Sequence, residues 1–527
     1  GVKSNCVAVL PMETEFGRKR MVDQSACNKD YSCVNGLCPS FVSVFGGLPR
    51  KVLAAQTKSV ELLELPAPGL PEFEKTYNIV ITGVGGTGVI TIGALLGMAA
   101  HIEYKGCGIL DMIGLAQKGG AVISHLRIAH DQRDVHSPRI AGGGADAVLG
   151  CDLVVSGSRK ALEVVNSGHT RLVVNNHEMY TGDFTRNADM VFPHLELKTA
   201  IERAAGEKNT EFINSPRLAA ALLGDSITAN IFLLGYAFQR GLIPLQRESL
   251  EEAIRLNGVS VEANLTAFLW GRHAAHDLKA VQSIAFPQKE ENSAAPKSGD
   301  LDDIISERSR RLVLYQNEAY ARRYLKWVER IRSVESDRIP GHAELTEAVA
   351  RFYFKLLAYK DEYEVARMYA SEKFHESLKL QFEGDYRLKI HLAPPFWARR
   401  DPHSGEPLKS AYGSWMFTAM RILSKFKFLR DTFLDPFGRT EERRMERRLI
   451  SEYETVTEEL IRNLNLANHS LAVQLAEIPD QIRGFDRVKW RHVQDASKNR
   501  ELLLSRFREL SENKSTGSVS PRHVAKV

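Results

Sequence analysis

The segment NIVITGVGGTGVITIGALL, residues 78–96, constrains this chain more than any other feature. A β-branched apolar run leads directly into G-x-G-x-x-G (Gly83, Gly85 and Gly88, with Gly86 between them), and an apolar helical pattern comes at once after it. Strand, tight turn and helix are therefore expected in immediate succession. The glycines allow the turn and a close approach of a phosphate, while the helix start offers free N–H groups. A dinucleotide site also calls for an acid about 20 residues on, at the end of the second strand. Asp111 in CGILDM stands there.

The residues after that acid do not belong to a standard dinucleotide domain. GLAQKGGAVISHLRI places Gln117, Lys118, Gly119 and Gly120 between two strand candidates. This is either a tight turn with a surface lysine or a second loop that contacts phosphate or an interface. A third glycine-rich turn, Gly142–Gly144, lies near Asp146 and Asp152, which are expected to flank a short helix as turn residues rather than as a site.

The pattern persists from Tyr77 to about Phe286. NIVITGVGG, KGCGILDMI, AVISHLRI, CDLVVSG, RLVVNN and ADMVFP read as short strands. TGVITIGALLGMAAHIE, SRKALEVVNSG and DSITANIFLLGYAFQRG between and after them read as helices. Such alternation predicts an α/β, Rossmann-like domain with a largely parallel sheet over 77–286. Proline-rich residues 50–76 and polar residues 287–300 read as linkers. Residues 301–510 carry long, charged amphipathic stretches and are expected to form a mostly α-helical domain, broken by a loop with a short strand at IHLAPPFWARRDPHSGEP. Residues 511–527 read as a disordered tail, and no internal repeat is visible.

Composition narrows the function classes. With 527 residues, 43% hydrophobic and 26% charged, the chain is not collagen-like, mucin-like or wholly disordered. The net charge of +5, with +6 after residue 290, is too mild for a nucleic-acid footprint. No apolar stretch reaches the roughly 20 residues needed to cross a bilayer. The opening SNCVAVLP lacks the pattern of a signal peptide and reads as the downstream end of a preceding domain.

Four of the six cysteines fall within the first 38 residues, which in a cytoplasmic setting points to metal or redox chemistry. Cys27-x5-Cys33-x4-Cys38-Pro39 approximates the ferredoxin run C-x2-C-x2-C-x3-C-P, with Asp30 at the second ligand position. The expected occupant is an iron–sulfur cluster on Cys27, Cys33 and Cys38. Its fourth corner is completed by the Asp30 carboxylate or by Cys6, or is empty in a three-iron core. Three unpaired thiols and a zinc site are the other readings, although zinc knuckles prefer C-x2-C pairs. Cys107 and Cys151 lie within strand candidates and read as buried hydrophobes.

GVGGTG, GLAQKGGAVISHLRI and VVNNHEMYTGDFT resemble the gamma domain of 2-oxoacid:ferredoxin oxidoreductases. ETEFGRKRMVDQSACNKDYSCVNGLCPSF, YKDEYEVAR, HLAPP, DPFGRTEERRMERRLI and QIRGF resemble the cluster segment and helical extension of that family's long fused bacterial indolepyruvate branch. The resemblance implies an iron–sulfur enzyme, most simply of the [4Fe–4S] type, that decarboxylates an aryl 2-oxoacid on thiamine diphosphate, reduces ferredoxin and forms an acyl-CoA. It implies a homo-oligomer in the cytoplasm. Residues 1–49 would hold the end of a thiamine-binding domain and the cluster segment. No Gly-Asp-Gly run leading to a magnesium-binding Asn occurs here, so thiamine diphosphate and Mg would reside on upstream domains and this chain would be inactive alone. Archaeal-type relatives carry the all-cysteine run, from which Asp30 departs. For Gly83, Gly85, Gly86, Gly88 and Gln117–Gly120 the resemblance implies a CoA-side or packing role instead of NAD binding. Two rivals remain: an NAD(P)-dependent dehydrogenase with a structural metal site, and a non-enzymatic helical scaffold.

Overall fold

The computed structural model describes residues 6, 8–24, 27, 29–50, 64–114, 120–180, 187, 189–286, 300–396, 398–403 and 405–512. It divides into two units, one of Gly1–Cys33 with Pro49–Ala294 and one of Val34–Leu48 with Ala295–Val527. The first 49 residues are thus shared between the units instead of standing as a segment of their own. Most of the expected linkers, residues 51–63 and 287–299, and the expected tail beyond residue 512 lie outside the described residues.

In the first unit Val9–Met12 (β1) and Lys19–Val22 (β2) form an antiparallel hairpin. Val42–Phe45 (β3) and Leu48–Pro49 (β4) come next in the chain. Six further strands build one sheet: Thr76–Val84 (β5), Gly106–Ile113 (β6), Ala121–Ala129 (β7), Ala147–Gly150 (β8), Arg171–Asn175 (β9) and Thr210–Ile213 (β10). Their order across the sheet is β10-β9-β8-β5-β7-β6. Five strands share one direction and β7 opposes them. The exception is set by loop length. Only residues 114–120 separate β6 from β7, too few for the dozen or so residues of a parallel crossover. The Gly114 N–H instead closes a hairpin on the Ala121 carbonyl at 2.9 Å.

Both faces of the sheet are covered, which explains the near-continuous apolar run in β5. Tyr77, Ile79 and Ile81 point to one side, against helix α1 (Val89–Ile102) and the helices Ala229–Gln239 and Val261–His276. Val80 and Val84 point to the other, packing with Ile201 of helix His194–Ala205 and with helix α2 (Leu153–Ser156).

Three expectations fail locally. CDLVVSG is not a strand, because the Asp152 carboxylate accepts the Val155 N–H at 2.8 Å and starts helix α2. The strand is the preceding Ala147–Gly150, so Asp146 and Asp152 flank a strand and not a helix. ADMVFP forms no strand in its described residues and instead buries Phe192 edge-on against Tyr180 at 5.5 Å. Strand β10 and its helix, Ser215–Leu223, were not among the candidates.

The second unit is mostly helical, as expected, from Leu301–Tyr315 through Asp486–Glu512. Its small β part begins with Phe382–Glu383 (β11). Arg387–Leu392 (β12) then pairs antiparallel with both β3 and Ser410–Tyr412 (β13), so the HLAPP segment begins in a strand. Ile390 and Leu392 pack with Met416 and Phe417 beneath it. No helix among the described residues is long and apolar enough to cross a membrane.

Candidate functional site

The five like-directed strands end together on one edge of the sheet. Loop 85–88 leaves β5 there, Cys151 and Asp152 leave β8, Asn176 and His177 leave β9, and Asn214 leaves β10. The chain runs from β5 toward β6 on one side and returns to β8 on the other. The β5/β8 boundary is therefore the topological switch point, where open α/β sheets bind ligands.

The four glycines of the first loop have different reasons to be glycine. A Cβ on Gly83 would lie 2.6 Å from Val89 Cγ2 and 3.0 Å from Cys151 Cβ, so Gly83 lets α1 sit close to the strand. Gly85 donates its N–H to the Gly120 carbonyl at 2.7 Å. Gly86 and Gly88 adopt φ of +89° and +90°, and a Cβ at Gly86 would meet nothing within 4 Å. Their backbone is thus open to an approaching phosphate, and α1 begins without a side-chain cap on its first N–H groups. The second turn lies directly on the first through the Gly85–Gly120 bond. Gln117, Lys118 and Gly119 lie outside the described residues.

The switch point itself carries a carboxylate. Asp152 is buried and accepts the Val84 N–H at 2.6 Å as well as that of Val155. Burial pushes its acid up from the ordinary range, opposed by these backbone bonds.

Asp111 is not placed as a ribose ligand. β7 lies between β5 and β6, which sets Asp111 two strand spacings, about 10 Å, from the glycine strand. It faces Ser124 in register, and its buried Oδ1 has no hydrogen-bond partner among the described residues.

Further along the same edge is a cleft of about 140 Å³ lined by Asn176, Asn214, Arg217, Gln282 and Phe286 among others. Asn175 anchors it by donating to the Cys151 carbonyl at 2.9 Å, and the Asn176 Oδ1 is buried without a partner among the described residues. Burial lowers the His177 pKa. These residues were not singled out from sequence as a site. Their signal was Asn-Asn-His directly after a β-branched run.

Of the cysteine series, Cys6 is buried with Ala8 and Val9, and Cys27 packs against that small cluster. Asp30 sits between two left-handed non-glycine residues, Lys29 (φ 58°) and Tyr31 (φ 55°). Its Oδ1 accepts the Ser32 N–H at 3.0 Å and hydroxyl at 2.8 Å. Cys27, Cys33 and Cys38 are half-buried thiols. Within the first unit no three of Cys6, Cys27, Asp30 and Cys33 bring ligand atoms within 4.8 Å of one another, so a mononuclear site is not preassembled there. In the second unit the Cys38 carbonyl accepts from Lys409 Nζ and the Pro39 carbonyl from the Tyr369 hydroxyl. These two anchors lie more than 300 residues away in sequence. Burial pushes the Cys107 thiol up to about 11 and the buried Cys151 thiol higher still, and both pack in or against the core of the α/β unit.

Residues 78–274 match the family model "Pyruvate ferredoxin/flavodoxin oxidoreductase", and residues 301–502 match one described as a family of unknown function (DUF6537). The chain is 32% identical over 209 residues to indolepyruvate oxidoreductase subunit IorB of Thermococcus kodakarensis, covering 39% of this chain and 98% of that protein. It is likewise 32% identical over 208 residues to the subunit of that name from Pyrococcus horikoshii, with the same two coverages. Among solved structures it is similar to a keto/oxoacid ferredoxin oxidoreductase gamma subunit from Geobacter sulfurreducens, at 24% identity and a TM-score of 0.27, over 38% of this chain and 98% of that one.

Proposed function

The chain belongs to the 2-oxoacid:ferredoxin oxidoreductase family, and from that premise we propose that it forms the electron-exit and gamma portion of an enzyme acting on indolepyruvate or a related aryl 2-oxoacid. The observation that carries the proposal is the conjunction of Cys27, Cys33 and Cys38-Pro39 with a domain, next along the chain, similar to nearly the whole of an indolepyruvate oxidoreductase subunit. An iron–sulfur cluster, when bound, supplies single-electron transfer toward ferredoxin. Cys27, Cys33 and Cys38 hold it, and either Asp30 or Cys6 completes the set.

The role of the α/β unit comes from its own residues. Gly86 and Gly88 present open backbone N–H groups for a CoA phosphate or for the face of a thiamine-binding domain, and Gly120 fixes the loop by bonding Gly85. Asp111 takes no part. Thiamine diphosphate and Mg sit on separate domains, because the sequence lacks their motif. The working assembly is a cytoplasmic homo-oligomer.

Anaerobic iron and sulfide analysis of the folded chain tests the cluster. We expect both elements, with brown colour and absorbance near 400 nm; a colourless folded protein containing neither would sink the assignment. Asp30→Cys and Cys6→Ser separate the two candidates for the fourth ligand. If Asp30 ligates, the first variant gives a more oxygen-resistant spectrum and the second changes nothing. If Cys6 ligates, Cys6→Ser bleaches or shifts the spectrum.

A further inference from the structure

We propose that the C-terminal helical unit binds a divalent transition-metal ion through His342, Glu344 and His469, with Glu335 orienting His469. One ligand atom from each of the three residues lies within 4.8 Å of the others, the one such grouping among the described residues. Two imidazoles and one carboxylate form a donor set suited to Zn²⁺ and neighbouring first-row ions.

The groups are held by parts of the fold that come from separate stretches of sequence. After helix Glu318–Arg338 the chain reverses at Gly341, whose φ of +89° a side chain would strain, and His342 is the next residue. Glu344 opens helix Glu344–Leu357, and His469 opens helix His469–Glu477. The residue before His469 is the fully buried Asn468, whose Oδ1 accepts the Asn465 N–H at 2.8 Å and whose amide donates to the Asn463 carbonyl at 2.9 Å. The two imidazole rings meet edge to face, 5.0 Å apart.

Glu335 supplies the second observation. It is 1% exposed, and its carboxylate accepts the Leu345 and Thr346 N–H groups at 2.9 and 2.8 Å together with the Thr346 hydroxyl. It also accepts from His469 Nε2 at 2.7 Å. Saturated in this way, Glu335 is a fixed acceptor and not a ligand. Donation of Nε2–H to this carboxylate would leave Nδ1 as the unprotonated nitrogen, the carboxylate–histidine arrangement that accompanies metal-ligating imidazoles. His342 Nδ1 lies 3.1 Å from Glu344 Oε2, a contact that a cation would replace. A buried His–Glu pair and a surface His–Glu pair can each exist for its own sake. Their convergence on one point is what a metal explains. The His342 and Glu344 side chains are 40% and 59% exposed, so the site opens to water and has room for a non-protein ligand.

The test uses the full chain, stripped with a chelator and titrated with Zn²⁺ by calorimetry. One equivalent that persists in Cys33→Ser should bind in the parent, which separates this site from the cysteine series. His342→Ala and Glu344→Gln, both at exposed positions, should each weaken that equivalent by more than about tenfold. Glu335→Gln should weaken it by about 10–100-fold. Co²⁺ at the site should give weak visible bands without sulfur charge transfer, and these should vanish in Glu344→Gln even if His342→Ala fails to fold. An equivalent unchanged in Glu344→Gln, or absent from the parent, overturns the proposal.

Discussion

Gly235 and Gly271 bring two helices of the α/β unit into close contact, each facing the other's helix. A Cβ on Gly235 would lie 2.0 Å from the Phe268 carbonyl oxygen, and one on Gly271 would lie 2.0 Å from that of Phe232. The obstructing atoms are backbone, so neither helix can relieve the clash by turning a side chain. These two helices form much of the layer packed on the α1 side of the sheet, and Phe232 and Phe268 are fully buried.

Gly271→Ala should therefore force the helix pair apart and destabilise the unit by about 3 kcal/mol, the upper part of the range for overpacking. Urea unfolding monitored by circular dichroism measures it. A midpoint equal to the parent's would mean that the helices can separate at little cost.

A second stability test concerns the helical unit. Arg430 and Asp361, both almost fully buried, make a two-pronged pair whose Nη2–Oδ1 arm is 2.9 Å. The guanidinium also lies 3.7 Å from the Tyr315 ring centre. Asp361→Ala leaves that charge buried without its partner and should cost about 3–5 kcal/mol. Replacing both residues with apolar ones, Asp361→Leu with Arg430→Met, should recover part of the loss in the same unfolding assay.

Nicotinamide cofactors should bind weakly despite the glycine fingerprint. β7 holds Asp111 away from the first loop. In a fluorescence titration NADH should not saturate the protein at low-micromolar concentration. Tight binding that disappears in Asp111→Ala would restore the dehydrogenase reading.

The 527-residue chain supplied with thiamine diphosphate, Mg, CoA and indolepyruvate should not reduce a viologen dye. Holding the thiazolium in its reactive conformation is the protein's task, and no segment here has the motif for it. Adding the thiamine-binding domains should yield substrate-dependent reduction. In that assembly Cys33→Ser should lower electron output more than oxoacid binding. Dye reduction by the chain alone would place the active site within it.

Sequence alone determined the strand–turn–helix at residues 78–96, because β-branching, glycine φ freedom and apolar period are local properties of a few residues. For the same reason it determined the α/β and helical halves of the chain and the three clustered cysteines. Tertiary structure decided what depends on distant partners. Inserting β7 between β5 and β6 moved Asp111 away from the glycine loop, although its spacing along the chain fits a ribose acid. The apolar run CDLVVSG became a helix because Asp152 found the N–H groups of Val84 and Val155. Lys409 and Tyr369 reach the Cys38-Pro39 backbone, and Glu335 reaches His469, across more than a hundred residues of chain. A sequence pattern reports which groups are near neighbours along the backbone; only the packed fold fixes which of them share a hydrogen bond or a buried charge.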